Sequence, residues 1–329
     1  MTEVAYETGV ACSICGGPLV NRYRPARIWH QPAGSQSYGV DWCARCDFGL
    51  LVPRPATLEH ERLHSAEYFD GMARGETTGT ASKPSFLDKL LVHLAWRFDR
   101  GEALSAEFVH RVLEGRPSSI CDIGCGSGGL MASLAARGHR TVGVEPSEHA
   151  RERARQRGVT AHAGVAETLP EVVKQEKYDA IVMNQVLEHC LDARSALTNL
   201  AELLKTGGRV CIEVPNNACI ASDELGPVWF HRDTGRHVNF FTPKSLASLA
   251  ESIGLRVEKT FFSGFNCQFA SDRPVLAQML WDHLDKEDGA RAACPRPSRS
   301  TFWRLLAKSA FAAAPRKYEI FGIVAQRID

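Results

Sequence analysis

The sequence predicts an α/β chain: a doubly wound, mostly parallel sheet preceded by a small cysteine-rich module. Three observations carry this expectation. From residue 118 onward, strand-length apolar runs alternate with amphipathic helical stretches. The first of those runs, "SSICDIG", opens directly into the glycine loop "GCGSGG". Two Cys-x2-Cys pairs stand near the start of the chain, at Cys12 and Cys15 and at Cys43 and Cys46.

Length and charge narrow the classes. The 329 residues suffice for one large domain and a smaller module. The 39 basic and 38 acidic residues nearly cancel, so no whole-protein field holds a polyanion, which disfavours nucleic acid as a partner. The start, "MTEVAYETGVACSICGG", lacks a basic n-region and an apolar h-region. No window approaches the roughly 20 apolar residues of a membrane span. A cytoplasmic location is expected. Eleven cysteines, an odd number without a signal peptide, argue against a disulfide framework. Those scattered in apolar runs such as "RVCIEV" read as small buried hydrophobes.

Residues 1–55 come first. A Cys-x2-Cys pair lets two thiolates converge on one ion from a single tight turn, and Cys12, Cys15, Cys43 and Cys46 complete a tetrahedron. Gly16 and Gly17 give the first knuckle unhindered backbone, while Asp47 stands in the second knuckle where a glycine is common. The alternating "SYGVDW" predicts a strand into that second knuckle. The expected module is a structural zinc ribbon, because four protein ligands leave no open position for catalysis. A redox Cys-x-x-Cys would want a βαβ setting that this segment lacks. Residues 56–117 read as linker and helical cap. They comprise a Pro-x-Pro, a helical stretch, a small polar loop at 71–85 and a helix over 86–114 that breaks near Gly101.

Residues 118–329 then read strand by strand. "SSICDIG" is a buried strand, "GGLMASLAARG" a helix ending on Gly138, "RTVGVEP" a second strand, and "SEHARERARQRG" a helix capped by Ser147 and closed by Gly158. "VTAHAG", "YDAIVMNQ", the helical "ARSALTNLAELLKTGG" and "GRVCIEVPN" continue the alternation. "GLRVEKTFFSG" and "KYEIFGIVAQRI" close the sheet, separated by a Pro- and Arg-interrupted helical insert at 265–316.

The loop satisfies G-x-G-x-x-G through Gly124, Gly126 and Gly129, and G-x-G-x-G through Gly124, Gly126 and Gly128. The first suggests a dinucleotide and the second S-adenosylmethionine. Asp122 separates them: a carboxylate repels a pyrophosphate and binds the methionine ammonium. Cys121 and Cys125, a conceivable half metal site, are expected to point into the sheet and to lie in the glycine turn.

"DIGCGSGG", "GVEPS", "YDAIVMNQVLEH" and "LLKTGGRVCIEVPN", in that order, resemble the successive motifs of class I S-adenosylmethionine-dependent methyltransferases, with their Rossmann-like sheet. The resemblance covers about 118–260 and the closing strand. It implies that the Gly124–Gly126–Gly128 loop lies against the methionine and ribose, with Asp122 near the amine and Glu145 accepting from the ribose hydroxyls. In "GVAETLP", Val165 replaces an aspartate common in the family, so backbone at Ala166, Glu167 or water is left to meet the adenine amino group. Asn184 and Gln185 face the region of the transferred methyl, or simply cap a loop.

With its ribbon and "RHVNFFTPKSL", the chain resembles nucleotide-sugar C-methyltransferases and their polysaccharide and natural-product relatives, and less closely the zinc-bearing ribosomal-RNA guanine methyltransferases. Gly235 replaces the first histidine of the sugar enzymes' motif, and His237 matches the second. Methyl transfer needs alignment of acceptor and methyl, and a base for the acceptor proton. The candidates are His237, then His189 and His231, with Glu188 beside His189 to orient it or to cap the next helix. Trp229, Phe230, Phe240 and Phe241 either wall an acceptor pocket or pack a core. The basic amphipathic stretch 301–316 reads as a lid helix, with rest on a membrane or a lipid-linked acceptor as the alternative. The expected activity is methyl transfer to a small polar acceptor. The alternatives are ribosomal-RNA base methylation and a cofactor-binding protein without turnover.

Overall fold

A computed structural model describes residues 10–26, 38–55, 85–233, 236–288 and 294–328. The helical stretch expected after the Pro-x-Pro and nearly all of the polar loop at 71–85 fall outside them. In chain order the elements are β1 (Val20–Ala26), β2 (Tyr38–Cys43), β3 (Phe48–Val52), α1 (Phe86–Phe98), α2 (Ala106–Val112), β4 (Ser119–Ile123), α3 (Gly129–Ala135), β5 (Arg140–Val144), α4 (Glu148–Gln156) and β6 (Ala161–His162). There follow α5 (Glu171–Lys174), β7 (Tyr178–Asn184), α6 (Ala193–Leu203), β8 (Leu204–Pro215), α7 (Ile220–Leu225), β9 (Asn239–Phe240), α8 (Pro243–Glu251) and β10 (Leu255–Ser263). The chain closes with α9 (Arg273–Asp288), α10 (Arg299–Ser309), α11 (Ala314–Lys317) and β11 (Ile320–Arg327). Two compact units emerge. One gathers Met1–Gly101, Pro215–Thr242 and Phe262–Ile320, and the other Glu102–Val214, Pro243–Phe261 and Phe321–Asp329.

The unit that begins at Glu102 carries a seven-stranded sheet in the order β10-β11-β8-β7-β4-β5-β6. Strands β8, β7, β4, β5 and β6 pair in parallel, with Cys121 facing Val142 on one side and Ile181 on the other. The chain leaves β4 toward β5 and β6, then returns to place β7 and β8 on its opposite side. This reversal opens a crevice at the carboxyl end of β4, where such sheets bind ligands. Phe108, Val109, Leu134 and Phe261 pack on Ile120 and Val182 beneath one face, and the rings of Phe108 and Phe261 are 4.4 Å apart. Ser147 caps α4 by accepting from Ala150 N, as its sequence predicts.

One boundary moves. The helix expected through "ELLKTGG" stops at Leu203, because Leu204 turns extended and joins Tyr178 in β8. The turn is built for close backbone approach: a Cβ on Gly208 would lie 2.9 Å from Lys205 O and 3.0 Å from Tyr178 O.

The other unit holds a four-stranded sheet, β1-β2-β3-β9, with β2 and β3 in antiparallel register at Val40 and Leu51. Trp42 lies across Gly49, where a Cβ would come within 2.6 Å of its ring. A separate core forms from Trp229, Phe265, Phe269, Phe302, Leu305 and Tyr318. Fully buried Arg232 stacks 4.1 Å over the Tyr23 ring and donates to Asn217 Oδ1 and Ser222 Oγ, both at 2.7 Å. These partners compensate a cation that burial alone would make costly. Phe240 pairs within the small sheet and Phe241 packs 5.1 Å from Phe48, so both serve the core. No helix among the described residues is long and apolar enough to cross a membrane.

Candidate functional site

At the end of β4 the chain makes three left-handed turns, with φ of 75° at Gly124, 53° at Gly126 and 74° at Gly128. The three glycines serve two purposes. A Cβ on Gly124 would lie 2.3 Å from Val186 Cγ2, and one on Gly128 2.5 Å from Val159 Cγ2. Those two pack the loop against its own unit. A Cβ on Gly126 would meet nothing within 4 Å, so its backbone borders open space. Gly126 N donates to Glu145 Oε2 at 2.9 Å, and Ser147 N donates to Glu145 Oε1 at 2.8 Å. Each carboxylate oxygen keeps a second acceptor site, which is what a vicinal diol requires.

Asp122 precedes this loop and is buried. Burial, then the neighbouring Glu145, pushes its carboxyl up to about 8. Burial also raises Glu145, opposed by its bonds from Ser147 and Gly126 and by Arg151. Two acids whose charged forms are disfavoured together suit a cationic ligand and oppose a pyrophosphate. Cys121 lies wholly within the sheet and Cys125 within the glycine turn.

At the end of β7, Asn184 Oδ1 and Gln185 Nε2 are buried without a hydrogen-bond partner, and Gln185 has φ 56°. Buried polar atoms left in this state are costly, and paired strain and polarity commonly mark ligand sites. Ala166 is buried, its carbonyl accepting from Asn199 Nδ2 at 2.9 Å, while Glu167 Oε1 accepts from Asp192 N at 3.4 Å. His189 Nε2 stands 4.0 Å from Glu188 Oε1. The cap of α6 is Asp192, which accepts from Ser195 N, so Glu188 does not fill that role.

A family model described as "Methyltransferase domain" matches residues 95–260, half of the chain. The chain belongs to this family. The match includes the glycine loop, Glu145 and the Asn184–Gln185 pair, and the protein is an S-adenosylmethionine-dependent methyltransferase. A curated relative, the ubiquinone biosynthesis O-methyltransferase of Ruegeria sp. (strain TM1040), is 32% identical over 213 residues, covering 61% of this chain and 82% of the relative. Its counterpart from Aeromonas salmonicida (strain A449) is 32% identical over 190 residues, covering 52% and 77%. Among solved structures, the 1,6-didemethyltoxoflavin-N1-methyltransferase of Burkholderia thailandensis aligns over 94% of this chain and 100% of its own, at 16% identity and a TM-score of 0.46.

In the methyltransferase, the remaining candidate residues lie in the unit with the four-stranded sheet. His237 Nδ1 and His231 O are 2.9 Å apart, the geometry of an Nδ1–H donating to the carbonyl. His231 Nε2 is 3.2 Å from Glu319 Oε1, and Trp229 Nε1 donates to Glu319 Oε2 at 3.3 Å. Glu319, 2% exposed, was not among the sequence candidates. It sits in "KYEIFG" with no motif around it, and only the fold brings it to His231.

The four cysteine Sγ atoms all lie within 4.8 Å of one another, with Cys15 and Cys43 at 3.7 Å. A tetrahedron with Zn–S of about 2.3 Å has edges of about 3.8 Å, so the donor set fits zinc. The two knuckles repeat one geometry: Gly16 N donates to Cys12 O and Asp47 N to Cys43 O, each at 2.8 Å. Asp47 takes Gly16's left-handed place with φ 56°, and its Oδ1 accepts from Trp42 Nε1 at 3.1 Å. An aspartate tolerates that conformation when its side chain is bonded locally.

Proposed function

We propose that this methyltransferase transfers the methyl group of S-adenosylmethionine to an oxygen of a small hydroxylated acceptor. The observation that carries the donor site is the open backbone at Gly126, flanked by the buried carboxyls of Asp122 and Glu145. Asp122 would hold the methionine ammonium, Glu145 the ribose hydroxyls and Ala166 the adenine. Asn184 Oδ1 would hold the donor or acceptor near the transferred group. The sulfonium supplies an activated methyl; the protein's part is to orient the acceptor oxygen in line with it and to take its proton. The candidates for that base are His237, His189 and His231, and the Glu319 carboxylate orients the ring of His231.

We take oxygen as the target from the names of the curated relatives, ubiquinone biosynthesis O-methyltransferases, and put hydroxylated precursors of ubiquinone first in the acceptor panel. Sugar and natural-product acceptors come next, on the strength of the "RHVNFF" segment. We assign a structural zinc to Cys12, Cys15, Cys43 and Cys46, outside the chemistry. The lid reading of 301–316 is favoured because Phe302, Leu305 and Leu306 spend the apolar face of α10 on their own unit's core.

The test incubates the full chain with methyl-labelled donor and hydroxylated aromatics, nucleotide sugars or ribosomal RNA, and identifies the labelled product by mass spectrometry. Label on a small-molecule oxygen is expected, with one of His237→Gln, His189→Gln and His231→Gln lowering kcat roughly 10²- to 10⁴-fold. Label in RNA overturns the acceptor reading. Donor binding by calorimetry without any turnover favours the cofactor-binding protein instead.

A further inference from the structure

Helix α1 has two faces, and only one of them serves the core. Leu91 and Ala95 are buried in the unit with the four-stranded sheet, and Leu94 and Phe98 pack against the same core. On the outward side Phe86 is 78% and Trp96 64% exposed. Lys89, His93 and Arg97 are exposed there as well. At 3.6 residues per turn these side chains share about a third of the helix circumference, with the two aromatics ~15 Å apart along the axis and the cations between and beside them. Next to the end of the helix, the ring of Phe311, 85% exposed, lies 5.2 Å from that of Phe98. Among the described residues no other phenylalanine or tryptophan is exposed. Single apolar side chains scattered over a surface are ordinary, but here all the exposed Phe and Trp gather on and beside one helix.

We propose that this outward face of α1 docks on an anionic lipid surface. The charges select that partner. Lys89 and Arg97 have no ion-pair partner among the described residues, and Arg100 stands exposed just beyond the helix. The two nearby carboxylates are both engaged within the fold. Asp88 accepts from Ser85 N at 2.8 Å and meets Arg299 at 3.1 Å, while Asp99 accepts from Gly101 N at 2.8 Å and from Asn266 N at 3.1 Å. The face is therefore positive, set with aromatic rings, and without a free carboxylate to repel an anion. A bilayer interface uses both features: headgroup phosphates meet the cations, whose stems lie along the apolar boundary, and the rings enter it. A polyanion with no apolar surface would use the cations and leave Phe86 and Phe311 in water. The apolar face of α10 stays in its own core, so the lid assignment is unaffected.

This surface lies within one unit and goes beyond the methyl-transfer reading. It is tested without donor or acceptor, so its failure leaves that reading standing. The full-length protein is sedimented with vesicles of phosphatidylcholine alone and with vesicles of phosphatidylcholine and phosphatidylglycerol in equal parts. Each basic residue near such a surface is worth about fivefold in affinity, so binding to the anionic vesicles is expected to be at least about tenfold tighter and to weaken with added salt. The double variant Lys89→Glu, Arg97→Glu should bring the anionic vesicles down to the affinity of the neutral ones. Phe86→Ser with Trp96→Ser should cost about tenfold or more on the anionic vesicles, since the rings no longer enter the interface. All four side chains are exposed, so the variants should keep the parent Tm. Equal affinity of the unmodified protein for the two kinds of vesicle, or no binding to the anionic ones, refutes the proposal without any variant. Anionic binding that survives both double variants overturns it as well. So does self-association by light scattering that Phe86→Ser with Trp96→Ser abolishes, which would give the face to a second copy of the chain.

Discussion

Replacing Gly126 by alanine should separate donor binding from stability. At φ 53° a Cβ costs about 1–2 kcal/mol, whatever the surroundings. Nothing within 4 Å adds to that cost, and the Gly126 N–H to Glu145 is retained. The expected fall in Tm is therefore roughly 2–8 °C, at about 2–4 °C per kcal/mol for a domain of this size. Gly124→Ala and Gly128→Ala carry the same conformational cost plus a collision. Val186 Cγ2 at 2.3 Å or Val159 Cγ2 at 2.5 Å must retreat by about an ångström to reach ordinary contact. Overpacking adds about 1–3 kcal/mol, for a total of about 2–5 kcal/mol. Donor affinity should show a different pattern. The Gly126 methyl projects into the space assigned to the donor, and a loss of at least about tenfold in Kd is expected, equivalent to ~1.4 kcal/mol. Calorimetry for the donor and differential scanning for Tm give the two readouts. If Gly126→Ala binds the donor as well as the parent does, the donor does not lie against this loop and the reasoning fails.

Two further outcomes follow from the same geometry. Asp122 has its folded value raised from 3.8 to about 8, so the folded state holds a proton that the unfolded state releases. Its stabilising contribution is complete below pH 4 and is lost as pH rises through about 8. Asp122→Asn should flatten that decline in urea melts between pH 4 and 8. Binding an ammonium favours the carboxylate, so donor binding at pH 7 should release most of one proton, measured by calorimetry in buffers of different ionisation enthalpy. The variant should release none, and a parent that releases none contradicts the contact. For the ribbon, elemental analysis should find one zinc per chain, and Cys46→Ser should lose it. Metal binding drives folding of such small modules by several kcal/mol, so 1–55 should become protease-sensitive in the variant or with chelator. Retention of zinc by Cys46→Ser would show that the ion sits elsewhere.

The parts of this protein legible in sequence are those written in short stretches of chain. The glycine loop, the acid two residues ahead of it, the Ser147 cap and the two Cys-x2-Cys knuckles each need only a few neighbours to define their backbone. Apolar runs and helical spacing likewise identified the seven strands of the larger sheet and the helices α3, α4 and α6, but not α8 at Pro243–Glu251. Asp47 was legible as a departure from a glycine position, but what allows it was not: its Trp42 bond depends on a strand's register. The end of α6 was misplaced because local propensity continued the helix, whereas pairing of Leu204 with Tyr178 ended it.

The amino-acid sequence by itself determined the fold class, the glycine loop and the four-cysteine pattern, since hydrophobic period, backbone freedom at glycine and ligand spacing are all local properties. Tertiary structure alone decided the rest. It distinguished the glycine that borders open space from the two that pack, and brought Glu319 to His231 across 88 residues of chain. Burial and partnership of a side chain are set by segments remote in sequence, so no local pattern records them.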